Sequence, residues 1–242
     1  MTQVKLFDPF PRAQGTTLEA FSAHWTGTHA EIAKAQIPQI RHYVQSHRIA
    51  SKPAALDAPL GPTWCDGSSE TWYDSPAELM QMVTEAGVAA LMRDEENFMD
   101  LSVKRHPILT HEHLIDAGRL DGTAHGVKVL LFLRRAAGTP EQFHERWLDE
   151  DDVALGRVLG VTRHVACTAV PENYSFLHPN PDVRVAREEG YDAVRELWWP
   201  DAGALTRAAA EHPQEWSRLL NPPSADLPRS FALFAQERVI IP

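Results

Sequence analysis

The chain has 242 residues, a net charge of −10, and no apolar run approaching the ~20 residues that a bilayer span needs. The acidic balance excludes a nucleic-acid binder of the usual basic kind, and two cysteines, Cys65 and Cys167, make neither a disulfide framework nor a zinc-ligand set. With no basic stretch followed by an apolar run at Met1–Lys5, a cytoplasmic protein is expected.

In chain order, Val4 to Phe10 reads as a strand closed by Pro9 and Pro11, interrupted by Asp8. Thr16 or Thr17 caps a helix whose first turn carries Glu19 and whose apolar face carries Phe21, Trp25 and Ile32. Pro38 ends it, and Ile40 to His47 alternates as a second strand. A Pro-, Ala- and Gly-rich loop (48–69) leads to a short strand at Glu70 to Tyr73. Ser75-Pro76 starts a further helix, and His111 to Ile115 reads as the fourth strand. After a linker at Gly118 to Gly126 the order repeats. Val127 to Arg135 is a strand, Thr139-Pro140-Glu141 a helix start, and Val161 to Thr168, Glu196 to Trp199 and Ser230 to Ile241 are strands.

The two halves also share residues. Phe21, Trp25, Arg41 and His42 recur as Phe143, Trp147, Arg163 and His164, each 122 positions later. Glu70, Trp72 and Glu112 recur as Glu196, Trp198 and Glu237. A register that drifts only at loops is an internal duplication. The reading is α+β: two ferredoxin-like βαββαβ repeats, 1–118 and 119–242, packed sheet to sheet as a barrel within one chain, with a ligand cavity expected between the sheets. In that register His29, Tyr43 and His47 meet Asp151, Val165 and Ala169, so the proposed site belongs to the first repeat and the second is mainly scaffold.

Phe21-x-x-His24-Trp25-x-x-x-His29-Ala30, then Pro38 and Arg41-His42-Tyr43-Val44-Gln45-x-His47, resembles the opening signature of EthD-type domains. Glu70-x-Trp72-Tyr73-Asp74-Ser75 and Glu112-His113-Leu114-Ile115 resemble that family's later strands. The resemblance implies a tandem member of the dimeric α+β-barrel superfamily. That group includes cofactor-free isomerases, cyclases, dehydratases, decarboxylases and monooxygenases, several acting on aromatic or polyketide-like compounds, together with haem-handling enzymes. In the related methylmuconolactone isomerases, histidines on the first helix and beyond the second strand, with a nearby tyrosine, handle protons. His29, His47 and Tyr43 match those kinds of position.

Strand alternation puts Tyr43, Gln45 and His47 on one face, expected to look into the barrel toward an apolar wall of Val165, Cys167 and Ala169, while His42, Val44 and Ser46 pack under the helices. Trp25 and His29, at i and i+4, share a helix face, whereas His24 and His29, five apart, do not stack on an α-helix. His29 is assigned as principal base, His47 as partner acid or loop anchor, and Tyr43 as stabiliser of a developing anion. Gln45, Trp25, Asp8, Trp64, Trp72, His111 and Tyr174 are candidate substrate contacts. Trp72 is equally a core residue, Asp8 a turn residue, and His111 with His113 an exposed strand end. No metal or cofactor is assigned. The expected function is a cofactor-independent acid–base enzyme, a lyase or isomerase acting on a small aromatic compound. Its alternatives are a cofactor-free aromatic monooxygenase and a non-catalytic binder of aromatic metabolites. The expected partner is that small aromatic substrate, with no nucleic acid and no membrane, and a homodimer is left open.

Overall fold

A computed structural model describes residues 3–49, 59–83, 86–117, 126–148, 151–170 and 190–242. Eight antiparallel strands close into one barrel. They are β1 (Val4–Phe10), β2 (His42–Arg48), β3 (Gly67–Tyr73), β4 (Ile108–Asp116), β5 (Val127–Leu133), β6 (Arg163–Ala169), β7 (Ala193–Trp199) and β8 (Phe231–Ile241). The order around the barrel is β1-β3-β2-β8-β5-β7-β6-β4. Each half is therefore a four-stranded sheet ordered second, third, first, fourth. The halves join by their edges, β2 to β8 and β4 to β6, which leaves no row of unpaired backbone groups at either seam. The expected linker lies largely outside the described residues.

Helices cover the outside. In the first half these are α1 (Leu18–His24), a π-helical turn (Trp25–His29), α2 (Ala30–Gln36), α3 (Pro76–Val83) and α4 (Ala86–Glu95). In the second they are α5 (Pro140–Trp147), α6 (Asp151–Val158), α7 (Ala202–Glu211) and α8 (Pro213–Leu220). Thr17 caps α1 by accepting from the Ala20 N–H, and Thr139 and Gln142 form a reciprocal capping box on α5. Both strand starts alternate in the same way. Val4 and Leu6, like Val127, Val129, Leu131 and Leu133, pack beneath helices, while Lys5 and Phe7, like Lys128, Leu130 and Phe132, point inward.

Among the described residues, side chains fill the barrel interior where the cavity between the sheets was expected. Phe7, Ile108, Leu130, Phe132, Val165 and Phe231 form an apolar cluster there. Beside it lies a two-fold-like ion network. Lys5 reaches Glu196 at 2.6 Å and Glu70 at 2.8 Å, and Lys128 reaches Glu70 at 2.7 Å and Glu237 at 2.9 Å. Trp72 and Trp198 donate their indole N–H to Glu112 and Glu237 and lie under the two ammonium groups. Burial alone would lower both lysine pKa values; for each, Glu196 leads the neighbouring carboxylates that raise it above its ordinary range. Glutamates repeated in sequence thus meet lysines repeated 123 positions apart, and the network ties the halves together.

The register of the repeat changes part-way. His42 pairs with Trp72, but Arg163, not His164, pairs with Trp198. Ser46 donates to Glu70 as Cys167 does to Glu196. In space, then, Tyr43, Gln45 and His47 correspond to His164, Ala166 and Thr168, one residue away from the sequence match. A slip of one residue turns a strand over. Tyr43, Gln45 and His47 consequently face the helices rather than the barrel interior, and Ser46 faces inward. The cause is visible in the first helix. Trp25 to His42 spans 17 positions and Trp147 to Arg163 spans 16, and the π-turn, which holds one residue more than an α-turn, takes up the difference.

Candidate active site

Between the first half's sheet and its helices lies a cavity of about 140 Å³, lined by β1 (Leu6, Asp8), β2 (Tyr43), β3 (Thr71, Tyr73), the π-turn (Trp25, His29) and α4 (Leu91, Glu95). Its volume is close to the ~150 Å³ of an apolar protein cavity that takes up benzene, so it matches a single ring.

Trp25 forms one wall. Its ring is fully buried and occupies the space that a side chain on Gly67 would need, since a Cβ there would sit 2.5 Å from the indole. The indole N–H donates to the Tyr43 hydroxyl oxygen at 2.9 Å, and Gln45 Nε2 donates to the same oxygen at 3.1 Å. Both lone pairs of the phenol are thus occupied. Its own proton has no acceptor among the described residues, on a side chain that lines the cavity. Burial raises the Tyr43 pKa despite the opposing Gln45 and Trp25 hydrogen bonds, so the phenol is neutral and acts as a donor.

The π-turn also sets the histidines. On an α-helix, residues five apart point in different directions, but a π-turn closes i to i+5. His24 Nε2 and His29 Nδ1 therefore both reach Asp94, at 3.0 and 2.9 Å, on the far end of α4. The sequence expectation that His24 and His29 diverge fails for this reason. Burial lowers the His29 pKa to about 4 against the pull of Asp94. The ring is neutral at pH 7, with its proton on Nδ1 toward the carboxylate. Nε2, the basic nitrogen, has no hydrogen-bond partner among the described residues.

His47 does not share this cavity. It lies across Trp25, ring centroids 4.4 Å apart, in an open cleft of about 400 Å³ with Ser22, Arg48 and Arg238. Its Nδ1 accepts from the Ser22 hydroxyl at 2.8 Å, and its Nε2–H donates to Gln45 Oε1 at 3.0 Å. Burial first, and Arg238 second, lower its pKa to about 3. Gln45 is a fully buried bracket that also donates to the Trp25 carbonyl at 2.9 Å; it orients Tyr43 and is not a cavity surface.

Of the remaining candidates, Asp8 lines the cavity and pairs with Arg105 at 3.0 Å. Trp64 does not; its indole donates to Tyr191 at the barrel's apolar cluster. Trp72 belongs to the ion network, and His111 sits part-exposed on β4 against the Gln3 carbonyl. Tyr174 lies outside the described residues. Asp94, Glu95, Arg105 and Tyr73 were not foreseen. Asp94 and Arg105 stand 65 and 76 positions from His29 with no motif to join them.

No curated protein matches the chain in sequence. Residues 13–102 match the EthD domain family. The whole chain superposes on an anthrone oxidase-like protein (11% identity, 99% of this chain and 94% of that one, TM-score 0.64). It also superposes on a proposed monooxygenase from Lactobacillus acidophilus NCFM (9%, 99% and 96%, 0.53) and on a variant chlorite dismutase from Candidatus Nitrospira defluvii in complex with cyanide (9%, 99% and 92%, 0.50). At these identities the likeness is one of fold. The two repeats close one eight-stranded barrel within one chain, the fold that these structures share. The expected lyase or isomerase assignment is corrected at this point. These structural neighbours carry monooxygenase, oxidase and dismutase names, none of them a lyase or an isomerase. No helix among the described residues is long and apolar enough to cross a membrane.

Proposed function

We propose that the EthD-domain protein is a cofactor-free monooxygenase of small aromatic compounds, in which the substrate's own anion reduces dioxygen. One observation carries this reading. A buried, neutral His29 whose Nδ1–H is held by Asp94 leaves Nε2 unpartnered on a ring lining the same cavity as Tyr43, a phenol with one proton to give. The names of the monooxygenase and anthrone oxidase-like neighbours support it.

His29 Nε2 takes a proton from a ring-activated CH₂, and the charge left behind delocalises onto a substrate oxygen that accepts the Tyr43 hydroxyl proton in a hydrogen bond. Asp94 stabilises the imidazolium formed. The carbanion gives an electron to dioxygen and the two radicals join through a new C–O bond, leaving a peroxide anion that is protonated by His29. Loss of the second C–H proton and cleavage of the O–O bond release water and a carbonyl product. One oxygen atom enters the product and one leaves as water, so no external reductant is needed. A base in such a role contributes ~10²–10⁴-fold to rate.

An oxygen electrode tests the reading with one-ring carbon acids as substrates. Uptake should match product one to one and vanish under nitrogen. Product formed at an equal rate under nitrogen would contradict it.

A further inference from the structure

We infer that the cavity recognises a substrate bearing a second hydrogen-bond donor, a ring hydroxyl remote from the reacting carbon, and that Asp8 is the residue that selects it; this rests on the reading of the same cavity as the substrate site. Asp8 interrupts a strand that is otherwise apolar on its helix-facing side. By strand register it corresponds to Leu131 of the second repeat, since Asp8 pairs with Ser69 as Leu131 pairs with Arg195. Leu131 is fully buried in an apolar core, so the fold itself asks for no carboxylate at this position.

In the first repeat the carboxylate meets a built partner. Arg105, with its side chain 4% exposed, donates to Asp8 Oδ2 at 3.0 Å and to Glu95 Oε2 at 3.1 Å. Asp8 Oδ1 is buried and has no hydrogen-bond partner among the described residues, and Asp8 lines the cavity. A buried acceptor without a donor costs free energy that a ligand's O–H recovers. Two carboxylates already share the one guanidinium, so a substrate carboxylate would add a third negative charge to a desolvated cluster and be rejected. Tyr43 stands on β2 and Asp8 on β1, two strand spacings apart, ~10 Å across the sheet, on opposite sides of the one-ring space. The class selected is a hydroxylated aromatic with its polar groups at opposite ends, uncharged at the Asp8 end.

The test is equilibrium binding under nitrogen, by calorimetry, of 1,4-dihydroxybenzene, methoxybenzene, which can accept from Tyr43 but has no proton for Asp8, and benzene-1,4-dicarboxylate. The protein should prefer the dihydroxy compound over the methoxy compound by about tenfold or more, and bind the dicarboxylate more weakly than either. Asp8→Leu, which leaves Arg105 and Glu95 as a neutral pair, should abolish the preference. Asp8→Asn serves if the leucine variant does not fold. Its carbonyl would go to Arg105 and its N–H₂ to the cavity, so a ring hydroxyl loses its carboxylate acceptor and the preference should shrink. Equal binding of the dihydroxy and methoxy compounds by the unmodified protein, a preference unchanged in both variants, or tightest binding of the dicarboxylate would each overturn the inference. Because no oxygen is present, this outcome is separate from turnover. A protein that shows the Asp8-dependent preference yet never consumes oxygen retires the monooxygenase reading alone.

Discussion

Replacing Tyr43 by Phe separates two things that the hydroxyl does. Its oxygen accepts the Trp25 indole N–H at 2.9 Å and one N–H of Gln45 at 3.1 Å, and both donors are fully buried. Without the oxygen, the indole N–H loses its partner, and Gln45 keeps only its bond to the Trp25 carbonyl. A buried donor left unsatisfied costs about 1–3 kcal/mol, so two cost about 2–4 kcal/mol after partial relaxation. For a chain of this size each kcal/mol lowers Tm by about 2–4 °C, giving a fall of about 5–15 °C. Turnover measured well below the lowered Tm should fall ~10²–10³-fold, the loss typical of one donor to a developing anion. Tyr73→Phe is the control. Tyr73 lines the same cavity, but its hydroxyl has only the Met82 sulfur at 3.9 Å, a weak acceptor, and the Thr71 side chain for neighbours, and its loss should cost about 1 kcal/mol, less than that of Tyr43. Differential scanning calorimetry and steady-state rates on the two variants decide it. Equal Tm values with a turnover loss below about tenfold for Tyr43→Phe would refute both the bracket and the donor role.

Other changes have signed outcomes. His164 occupies the place of Tyr43 in the second repeat and has both ring nitrogens buried without a hydrogen-bond partner among the described residues, so His164→Leu should stabilise by about 1–3 kcal/mol, read as a higher urea midpoint at unchanged slope. Lys128→Met leaves Glu70 and Glu196 buried around one fewer cation and should cost about 3–5 kcal/mol in the same denaturation experiment. His29 titrates at about 4 when folded and near 6.5 when unfolded, so between those values the unfolded chain holds the extra proton. Its contribution is intact above pH ~6.5 and is lost as pH falls toward 4, on the order of 3 kcal/mol. Stability should fall over that window in a pH series of melting curves, and less steeply in His29→Gln.

The repeated architecture was legible because apolar alternation, helix caps and paired aromatics are local signals. Thr17 and Thr139 cap as read, and the eight strands appear in the expected order. Three strands are longer than expected: Gly67, Ser68 and Ser69, and Ala193 to Arg195, carry little apolar patterning yet pair fully with their neighbours, and Ile108 to Thr110 extend β4 by pairing with β1. The direction of Tyr43 was not legible. It depends on one extra residue absorbed in a π-turn, and no side-chain pattern marks a π-turn inside a helix. His29 and Tyr43 were singled out by family-like positions, whereas Glu95 and Arg105 arrive on their cavity, and Asp94 behind His29, through long-range folding. His47 went to a different cleft because Trp25 fills the space between them. Lys5 and Lys128 did leave a sequence trace, a lysine second in each otherwise apolar opening strand, but a lone lysine in a strand ordinarily reads as an edge or solvent residue.

The most direct measurement of His29 as the base dispenses with oxygen altogether. In D₂O under nitrogen, a carbon-acid substrate should exchange its activated C–H for deuterium at least ~10²-fold faster with the protein than in buffer, and His29→Ala should remove that acceleration while retaining a folded Tm. Exchange that persists in His29→Ala, or is absent from a protein that still consumes oxygen with the same substrate, would contradict it.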